Sequence, residues 1–402
     1  MGLTYEPLGK YVRLVDERNT DIVTESVLGI NIDKYFMPSV ANVIGTDLSN
    51  YKLLRKGRFA CNPMHVGRDG RLPVSRYTED SPAIVSPAYF MFEIKDENEI
   101  EPEYLMLCFR RPDFDRMCWF RTDASVRGGI TWEDVCALTI PVPPISEQRK
   151  IVHDYQVITD RIELLRKMNE NLEITVQTEF NNAFLTFPED ANLIDTKLGM
   201  LPDYLSVKSF KDIIVRVENG SRPSGGACDH GFPSLGADCA KGLGCYDETK
   251  AKYVPEEYAR NMKRGIVTGY ELLAYKDGGT PSNFIPDFSI YGEGYPFESF
   301  AINEHVFIID FGTPASNWFA YFLFRSKYVY GELAALGGKS AIPGISQSDL
   351  EALYLIDPTS DLATSFGNQY LPFLRNILIN CKEILSLNKM QKHLLSSISK
   401  GA

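Results

Sequence analysis

A dense group of basic side chains lies between residues 52 and 76 of this sequence. Seven Lys and Arg residues fall in that segment, and Asp69 is the only acidic residue among them. Closely spaced cations suit contact with the phosphates of a nucleic acid, while Arg can also read guanine and Asn can read adenine through paired hydrogen bonds. The candidates for DNA contact in this segment are Lys52, Asn62, His65, Arg68, Arg71 and Arg76.

Similar polar residues occur later in the chain. Arg121 and Arg127 precede a Gly-Gly pair, and Thr280 to Asn283 form a polar loop flanked by glycines, which allow a close approach to a groove. The candidates in the second half of the chain are Ser221, Arg222, Lys263, Arg264, Lys276, Ser282, Asn283 and Lys339. The alternative interpretation of each residue in both sets is an ordinary solvated side chain.

The chain as a whole is acidic, with a formal net charge of −11 at pH 7. This charge argues against a protein that coats DNA uniformly, but phosphates respond to the local field within a Debye length of about 8–10 Å. Six acidic residues cluster between Glu93 and Glu103, directly after the basic segment. We therefore expect one face that attracts phosphate and another that repels it.

The eight cysteines are scattered, and none forms a C-x-x-C pair. Free thiols in a reducing compartment are the expected state, and with no apolar run of signal-peptide or membrane-helix type the sequence favours the cytoplasm. The densest group, Cys228, His230, Cys239 and Cys245, matches no zinc spacing that we can justify. We therefore expect no bound metal.

Motifs of common enzymes are missing from the sequence. It contains no Walker-type loop and no G-x-S-x-G elbow. The segment Asn62-Pro63-Met64-His65 lacks the second Pro and the aromatic residue of an adenine-methyltransferase loop, and the Glu298 that follows Pro286-Asp287 does not begin the Glu-x-Lys of a nuclease. Since no convergent acid–base set remains, the sequence predicts a chain without a catalytic centre.

The sequence repeats itself at one constant offset, which is the separation of Gly129 from Gly344. GITWEDVCALTIPVP, Gly129 to Pro143, and GISQSDLEALYLIDP, Gly344 to Pro358, share six identities in fifteen positions. Upstream, the same repeat offset relates Phe92, Ile94, Tyr104, Leu107, Phe109 and Arg110 to Phe307, Ile309, Phe319, Phe322, Phe324 and Arg325. A period of this length indicates duplication of a whole domain.

Each copy is followed by a long helical pattern. After Pro143-Pro144, apolar residues recur at gaps of three and four, and Ser146 is suited to cap the helix. In the second pattern, which starts near Asp361, Gly367 and Pro372 predict that the regular helix begins nearer Phe373. The seam positions expected to pair the helices and bind partners are Ile151, Tyr155, Ile158, Ile162, Leu165, Leu172, Ile377, Ile384 and Leu395, with Asn169 at one further position.

These patterns predict an α+β protein with two β-rich globular domains and two long helices. The predicted divisions are a first domain at 1–144, a helix at 145–187, a second domain at 196–357 and a second helix at 361–400. Because neither apolar seam is stable in water, we expect the helices to pair as a coiled coil, antiparallel if a two-fold axis relates the halves. The alternative is that each helix packs only on its own domain.

Several segments resemble specificity subunits of type I restriction-modification systems. The phrase SVRGGITWEDVCALTIPVPPISEQRKIV, Ser125 to Val152, looks like the hallmark of that family. The N-x-x-L-E at Asn169 to Glu173 is similar to its first conserved helical region, and NGSRP at Asn219 to Pro223 and YELLAYKDG at Tyr270 to Gly278 resemble its second half. The resemblance covers essentially the whole chain, although Leu355-Ile356-Asp357-Pro358 replaces the usual Pro-rich exit.

The resemblance implies a non-catalytic protein in which each domain reads one half of a bipartite double-stranded DNA target. The helices would set the gap between the halves and dock two methylation subunits, which bring S-adenosylmethionine. Two translocase subunits that use ATP and magnesium can join for cleavage. This chain itself would bind no cofactor.

Three alternatives stay open at this point. The chain could be a stand-alone two-domain DNA-binding or scaffold protein without methyltransferase partners, or an enzyme such as a fused nuclease. Within the family, the partners could form a methylation-only system. Co-purification of methyltransferase chains discriminates the first alternative, and metal-dependent cleavage by the isolated chain the second.

Overall fold

The computed structural model describes residues 4–40, 45–64, 66–122, 128–280, 283–338 and 343–398. The chain divides into two units, Met1–Arg161 with Leu387–Ala402 and Ile162–Ser386. Each unit contains one globular domain together with a part of each of two long helices. The two long helices are therefore shared between the units, and the division of the chain into separate domains and helices stays a prediction.

The first unit is built from short strands and short helices that lead into a long helix. Single turns of 3-10 helix lie at Leu8–Lys10 and Leu48–Asn50. The strands and helices are β1 (Tyr5–Pro7), β2 (Val12–Leu14), β3 (Leu28–Ile30), β4 (Phe36–Pro38), β5 (Lys52–Leu54), β6 (Phe59–Cys61), α1 (Val66–Asp69), β7 (Val74–Arg76), β8 (Ala83–Val85), β9 (Phe90–Ile94), α2 (Pro102–Arg110), α3 (Pro112–Phe120), α4 (Trp132–Ala137), β10 (Thr139–Pro141) and α5 (Ile145–Phe184).

The central sheet of the first domain is antiparallel, with strand order β2-β9-β6-β7. On β9, Phe92 lies opposite Leu14 on one side and Phe59 on the other. The rings of Phe59 and Phe92 stack with centroids 5.2 Å apart, and Phe109 of α2 meets both edge-on. Burial of each such ring stabilises the fold by about 1.5–3 kcal/mol, so this aromatic group holds α2 on the sheet.

The second unit has more strands and contains most of the second long helix. Single turns of 3-10 helix lie at Ala237–Cys239 and Glu248–Lys250. The strands and helices are β11 (Leu193–Thr196), β12 (Gly199–Pro202), β13 (Val207–Ser209), α6 (Phe210–Ile213), β14 (Arg216–Asn219), β15 (Phe232–Leu235), β16 (Lys252–Val254), α7 (Glu256–Asn261), β17 (Ile266–Val267), β18 (Leu272–Tyr275), β19 (Gly279–Thr280), β20 (Asn283–Phe284), β21 (Asp287–Ile290), β22 (Phe300–Ile302), β23 (Val306–Asp310), α8 (Pro314–Phe324), α9 (Tyr330–Gly337), α10 (Gln347–Glu351), β24 (Tyr354–Ile356) and α11 (Asp361–Ser397).

The second domain repeats the sheet plan of the first. Its antiparallel sheet has the order β14-β23-β18-β21, with β23 in the place of β9. Phe307 lies opposite Asn219 and Ala274, as Phe92 lies between two partners in the first domain. The terminal pairs β1–β10 and β13–β24 are also equivalent, because Pro141 and Ile356, which the repeat offset relates, pair with Tyr5 and Val207. A further four-stranded sheet, β16-β15-β22-β17, forms in the second domain.

The repeated Gly-Ile phrase makes a similar contact in each copy. The backbone N–H of Ile130 donates to the carbonyl of Pro63, just beyond β6. The N–H of Ile345 donates to the carbonyl of Lys276, just beyond β18. Thr131 and Ser346, the next residues, accept hydrogen bonds that cap α4 and α10. The repeated sequence therefore holds the loop after a central strand in both domains.

The first long helix begins at Ile145, as predicted, but its first turn is not capped by Ser146. The N–H groups of Glu147 and Gln148 both donate to the carbonyl of Pro144. Ser146 therefore lies inside the first turn, and its predicted role as the cap is wrong. With 40 residues, α5 is about 60 Å long at about 1.5 Å per residue.

The second long helix is regular from Asp361, so the predicted later start near Phe373 is also wrong. Pro372 lies inside the helix, where it removes one backbone hydrogen bond. Gly367 packs directly on α8, since a Cβ atom there would lie 2.1 Å from the carbonyl oxygen of Ala315. The buried contacts of Phe366, Leu374 and other apolar residues offset the local cost of both breakers.

The two long helices contact each other within each unit. In the second unit, the rings of Phe180 and Phe184 lie 5.9 and 5.3 Å from that of Phe366. Further along, Asn169 lies beside Asn380, so residue numbers rise on one helix as they fall on the other and the helices are antiparallel there. In the first unit, Gln391 donates to the hydroxyl of Thr159 at 2.7 Å.

Candidate nucleic-acid interface

The central part of the basic segment, residues 62–73, forms the connection between β6 and β7 of the first domain. Asn62 closes this loop, because its N–H donates to Pro73 and its side chain accepts a hydrogen bond from the N–H of Met64. Inside the loop, Gly67 donates its N–H to the carbonyl of Gly128 at 2.8 Å. A Cβ atom on Gly128, whose φ is +58°, would lie 2.6 Å from the Cα of Gly67. Two glycines are required for this close approach.

Arg68 and Arg71 are exposed on this loop, each beside a carboxylate. Arg68 pairs with Asp69 at 2.6 Å and Arg71 with Asp33 at 2.9 Å. Ion pairs between exposed groups contribute only about 0–1 kcal/mol, so either guanidinium can exchange its partner for a DNA phosphate or base at little cost. Both predicted residues therefore lie where DNA can reach them.

Two other predicted residues are engaged inside the domain. Lys52 is only 7% exposed, and its ammonium group donates to the carbonyl of Tyr89 at 2.7 Å. Arg76 pairs with Glu103 at 2.7 Å and is partly buried. For Lys52 the expectation of a phosphate contact is corrected, because reaching DNA would leave a buried carbonyl without a partner.

A cleft of 360 Å³ next to Arg71 gathers basic residues that the sequence analysis missed. Arg110 and Arg116 line it together with Arg71. Its floor is rigid, since the buried ammonium of Lys34 lies 2.7 Å from a carboxylate oxygen of Asp115. Arg110 and Arg116 lie on different helices and outside the basic segment, so no local pattern pointed to them.

The remaining candidates of the first half divide into two groups. Arg121 is exposed at the end of α3, directly after the last helical residue. His65 and Arg127 lie outside the residues that the structure describes.

In the second domain the structure brings two predicted pairs together. Ser221 and Arg222 follow β14, whereas Lys263 and Arg264 precede β17. The segments meet at two glycines, because a Cβ atom on Gly265 would lie 2.9 Å from the Cα of Gly220. Lys263 and Arg264 are exposed, while Ser221 shares a hydrogen bond with Tyr258 and Arg222 lies 3.1 Å from Glu304.

Arg222 also lines a cleft of 410 Å³. Lys250 and Lys252 face the same cleft, as do Asn303 and His305. Neither lysine was predicted, because both lie far along the chain from Arg222, in an acidic stretch of sequence. The cleft offers both cations for phosphate and an amide and an imidazole that can hydrogen-bond to bases.

The other candidates of the second domain do not line this cleft. Lys276 pairs with Asp277 at 2.7 Å, and the same carboxylate lies 2.6 Å from Nδ1 of His305. Asn283 is exposed in the hairpin of β19 and β20, as the glycine-flanked polar loop suggests. Ser282 and Lys339 lie outside the described residues.

The apolar seam residues are used within the chain itself. Ile162, Leu165 and Ile377 are at most 4% exposed. Ile151, Tyr155 and Leu395 pack against the core of the first unit, and Leu172 against that of the second. Ile158 and Ile384 are half-buried. Except for the half-buried Ile158 and Ile384, these side chains are therefore occupied by intramolecular packing, and their role in binding a partner stays a prediction.

The thiols and carboxylates do not gather into a metal centre in the described ranges. No group of three potential ligands occurs there, and all eight cysteines are free. Burial raises the pKa of the Cys61 and Cys239 thiols to about 12, so both stay protonated at neutral pH and are poor nucleophiles. Within the same ranges, none of the helices combines the length and the apolar character needed to cross a membrane.

Comparison with known proteins gives a consistent result. No family model matches the chain. The type I restriction enzyme MjaIX specificity subunit of Methanocaldococcus jannaschii is 25% identical over 291 residues, which are 69% of this chain and 64% of that protein. The HindI specificity subunit of Haemophilus influenzae is 23% identical over 276 residues, 66% of this chain and 57% of that protein. The chain thus spans less than two thirds of these curated relatives.

A solved structure agrees over the whole length. The crystal structure of the S subunit of a type I restriction-modification system from M. genitalium has a TM-score of 0.56 and 14% sequence identity, and the match covers 99% of this chain and 96% of that one. The α+β class with two domains and central helices is therefore confirmed. In sequence and in fold, this chain resembles the specificity subunits of type I restriction enzymes, as its motifs predict.

Proposed function

We propose that this chain is the DNA-specificity subunit of a type I restriction-modification complex. The observation that carries the proposal is the duplicated architecture, in which two domains with the same sheet register each lead into a long helix. Each domain then reads one half of an interrupted DNA target. The similarity to specificity subunits supports this role.

The recognition surface of the first domain would comprise the loop with Arg68 and Arg71 and the neighbouring cleft with Arg110 and Arg116. That of the second would comprise the cleft with Arg222, Lys250 and Lys252, and the adjoining loop with Lys263 and Arg264. Local cations of this density attract phosphates even though the whole chain is acidic. The amide and imidazole groups in the second cleft add base-reading chemistry.

The partners would be two methylation subunits, docked on the helices, and two translocase subunits for cleavage. In this proposal S-adenosylmethionine, ATP and magnesium belong to those partners, and this chain supplies recognition. Because the seam is occupied, docking would use apolar side chains that remain exposed on the helices. Leu164 and Met168, four residues apart on α5, are 50% and 43% exposed and form one such patch.

Two measurements test the proposal together. The purified full-length chain, carrying an affinity tag, should recover two methyltransferase chains per copy from its host. Mapping methylated adenines in cells with and without the gene should show a bipartite motif that disappears on deletion. A modified bipartite motif that persists after deletion contradicts the proposal.

The docking patch has its own matched comparison. Leu164→Glu combined with Met168→Glu should abolish recovery of the methyltransferase chains, because it places two charges in an apolar contact. Lys167→Glu, an exposed change on the same helix turn, should leave recovery unchanged. Full recovery with the double variant would move the docking site elsewhere.

A further inference from the structure

Two aromatic side chains project from the first domain at the end of α3. Phe120 is 78% exposed, the most exposed aromatic side chain in the part of the chain that the structure describes, and Trp119 beside it is 48% exposed. Their ring centroids are 5.3 Å apart. Single apolar residues on a surface are ordinary, but two adjacent exposed rings are a feature of binding sites, where aromatic residues and Arg are enriched.

Trp119 anchors the pair to the basic loop. The indole N–H of Trp119 donates to the carbonyl of Gly67, at 3.2 Å, and Gly67 lies in α1 next to Arg68. The indole ring is therefore fixed, and the ring of Phe120 packs against it edge-to-face at 64°. A rigid apolar projection loses little conformational freedom when it enters a binding site.

The charges around the rings indicate what they contact. Arg116 lies one helical turn before Phe120, Arg121 directly follows it, and both are exposed, as is Arg68. The carboxylates of α3 are engaged elsewhere, Asp113 with Arg111 and Asp115 with Lys34. Asp69 pairs with Arg68 in an exposed ion pair that a phosphate can replace at little cost. A base-pair step is apolar and lies between two phosphate backbones. Two exposed rings flanked by cations therefore fit such a step better than they fit an apolar protein surface.

The second copy of the domain lacks this feature. At the repeat offset, Ala334 and Ala335 stand in place of Trp119 and Phe120. They lie in α9, which follows α8 as α3 follows α2. The aromatic pair therefore belongs to the first domain and not to the repeated framework. If the two rings only supported the fold, we would expect them in both copies.

We propose that Phe120, supported by Trp119, inserts between bases of the DNA half-site bound by the first domain. This inference rests on the proposed function and deepens it. Inserted apolar side chains partly unstack a base step and kink the duplex. Arg68, Arg116 and Arg121 would neutralise the phosphates on either side of the opened step. Only one half-site would be distorted in this way.

Fluorescence of 2-aminopurine tests the insertion, since this base brightens when it is unstacked. The full-length chain, in complex with its methyltransferase partners, is titrated onto duplexes of the mapped target that carry 2-aminopurine at successive positions of both halves. Apart from the adenines that the methyltransferase partners flip out for methylation, the wild-type protein should brighten one step, in one half only. Phe120→Ala should remove that signal and weaken binding about tenfold or more, because aromatic contacts with bases contribute strongly to affinity. Phe120→Leu should retain part of both effects.

The controls separate this proposal from the one on which it rests. If wild-type protein does not bind the mapped target, the proposed function fails before any variant is measured. Tyr204→Ala, which removes a 53% exposed ring from the second unit, should change neither signal nor affinity. The insertion is overturned if Phe120→Ala gives the wild-type fluorescence profile. It is equally overturned if that variant loses the methyltransferase chains while its DNA contacts persist, because the rings would then face a protein.

Discussion

Asn380 donates a hydrogen bond from Nδ2 to Oδ1 of Asn169, 2.8 Å away, between the two long helices of the second unit. Asn169 also points its amide nitrogen toward the carbonyl of Ile377, at 3.4 Å. A polar pair within an apolar seam is satisfied only in one alignment of the helices, so it fixes their register. The position of Asn169 in the seam was evident from the sequence, but its partner was not.

This pair can be measured by a double-mutant cycle. Asn169→Ala and Asn380→Ala should each lower the free energy of unfolding by about 1 kcal/mol, because each leaves one amide without its partner. The double variant should lose less than the sum, since both changes remove the same hydrogen bond. Urea denaturation of the four proteins gives the coupling, with exposed Asn171→Ala as control. Strictly additive losses would show that the amides do not interact.

Glu173 connects α5 to α8 of the second domain. It accepts a hydrogen bond from the buried hydroxyl of Tyr321 at 2.8 Å and contacts the guanidinium of Arg325. Glu173→Ala should lower stability by about 1–3 kcal/mol, because both groups lose their shared carboxylate and keep only the hydrogen bond from Arg325 to the Tyr321 hydroxyl. Glu173→Gln, which keeps an acceptor oxygen, should cost less. Thermal unfolding measures the series against exposed Glu170→Ala, and equal melting temperatures for all of them would refute the role.

Gly367 offers a sharp test of helix packing. In Gly367→Ala the new Cβ would lie 2.1 Å from the carbonyl oxygen of Ala315, so α11 must move away from α8 and melting temperature should fall by several degrees or more. Gly331→Ala is the matched control, because Gly331 also lies in a helix and a Cβ atom there meets nothing within 4 Å. Alanine favours helix there, so that variant should be unchanged or slightly more stable. Similar melting temperatures for the two variants would contradict the packing.

The sequence predicted the plan of the fold well because the plan is repeated. The repeat offset aligned β9 with β23 and β10 with β24. In the structure each of these strands pairs with a strand of its own domain, and the registers of the two domains match. Local rules failed at Ser146 and Pro372. The start of α5 uses the carbonyl of Pro144, and the helix through Pro372 is supported by contacts with α8 that are distant in sequence.

The candidate site was harder to predict because charge alone does not reveal exposure. Lys52 belongs to the basic segment, yet its ammonium group is held by the carbonyl of Tyr89, which is distant in the sequence. Conversely, Arg110 and Arg116 join Arg71 only because α2 and α3 fold beside the loop. Phe120 belongs to no periodic pattern in the sequence. Its importance comes from the exposure of its ring, which depends on how the folded chain packs.

Asp357 makes the stability of the second domain depend on acid pH. Burial alone would raise its pKa, but hydrogen bonds from Lys208 and Thr359 hold the pKa of this carboxyl below its ordinary value of 3.8. Its ionised form therefore stabilises the fold above about pH 4, and this contribution is lost as pH falls through the lowered pKa. Asp357→Asn should be less stable at pH 7 and should lose less stability than the wild type on further acidification.

Urea denaturation between about pH 2 and pH 7 measures that difference. Exposed Asp195→Asn serves as control and should follow the wild-type curve. If Asp357→Asn and the wild type lose stability in parallel down to the lowest pH, the carboxylate does not contribute as described.

Arg71 and Lys52 lie in the same basic segment and should behave in opposite ways. Arg71→Ala should weaken DNA binding with the melting temperature unchanged, because its guanidinium is exposed and makes only a surface ion pair. If Arg71 contacts a phosphate, binding falls for all sequences and the slope of log affinity against log salt decreases by about one; if it contacts a base, specificity relaxes at one position.

Lys52→Ala should lower stability by about 1–3 kcal/mol, because the carbonyl of Tyr89 is left unpaired. The folded Lys52 variant should bind DNA like the wild type, so each protein is the control for the other. Unchanged affinity in Arg71→Ala would remove that residue from the interface, and a loss of affinity without destabilisation in Lys52→Ala would restore Lys52 to it.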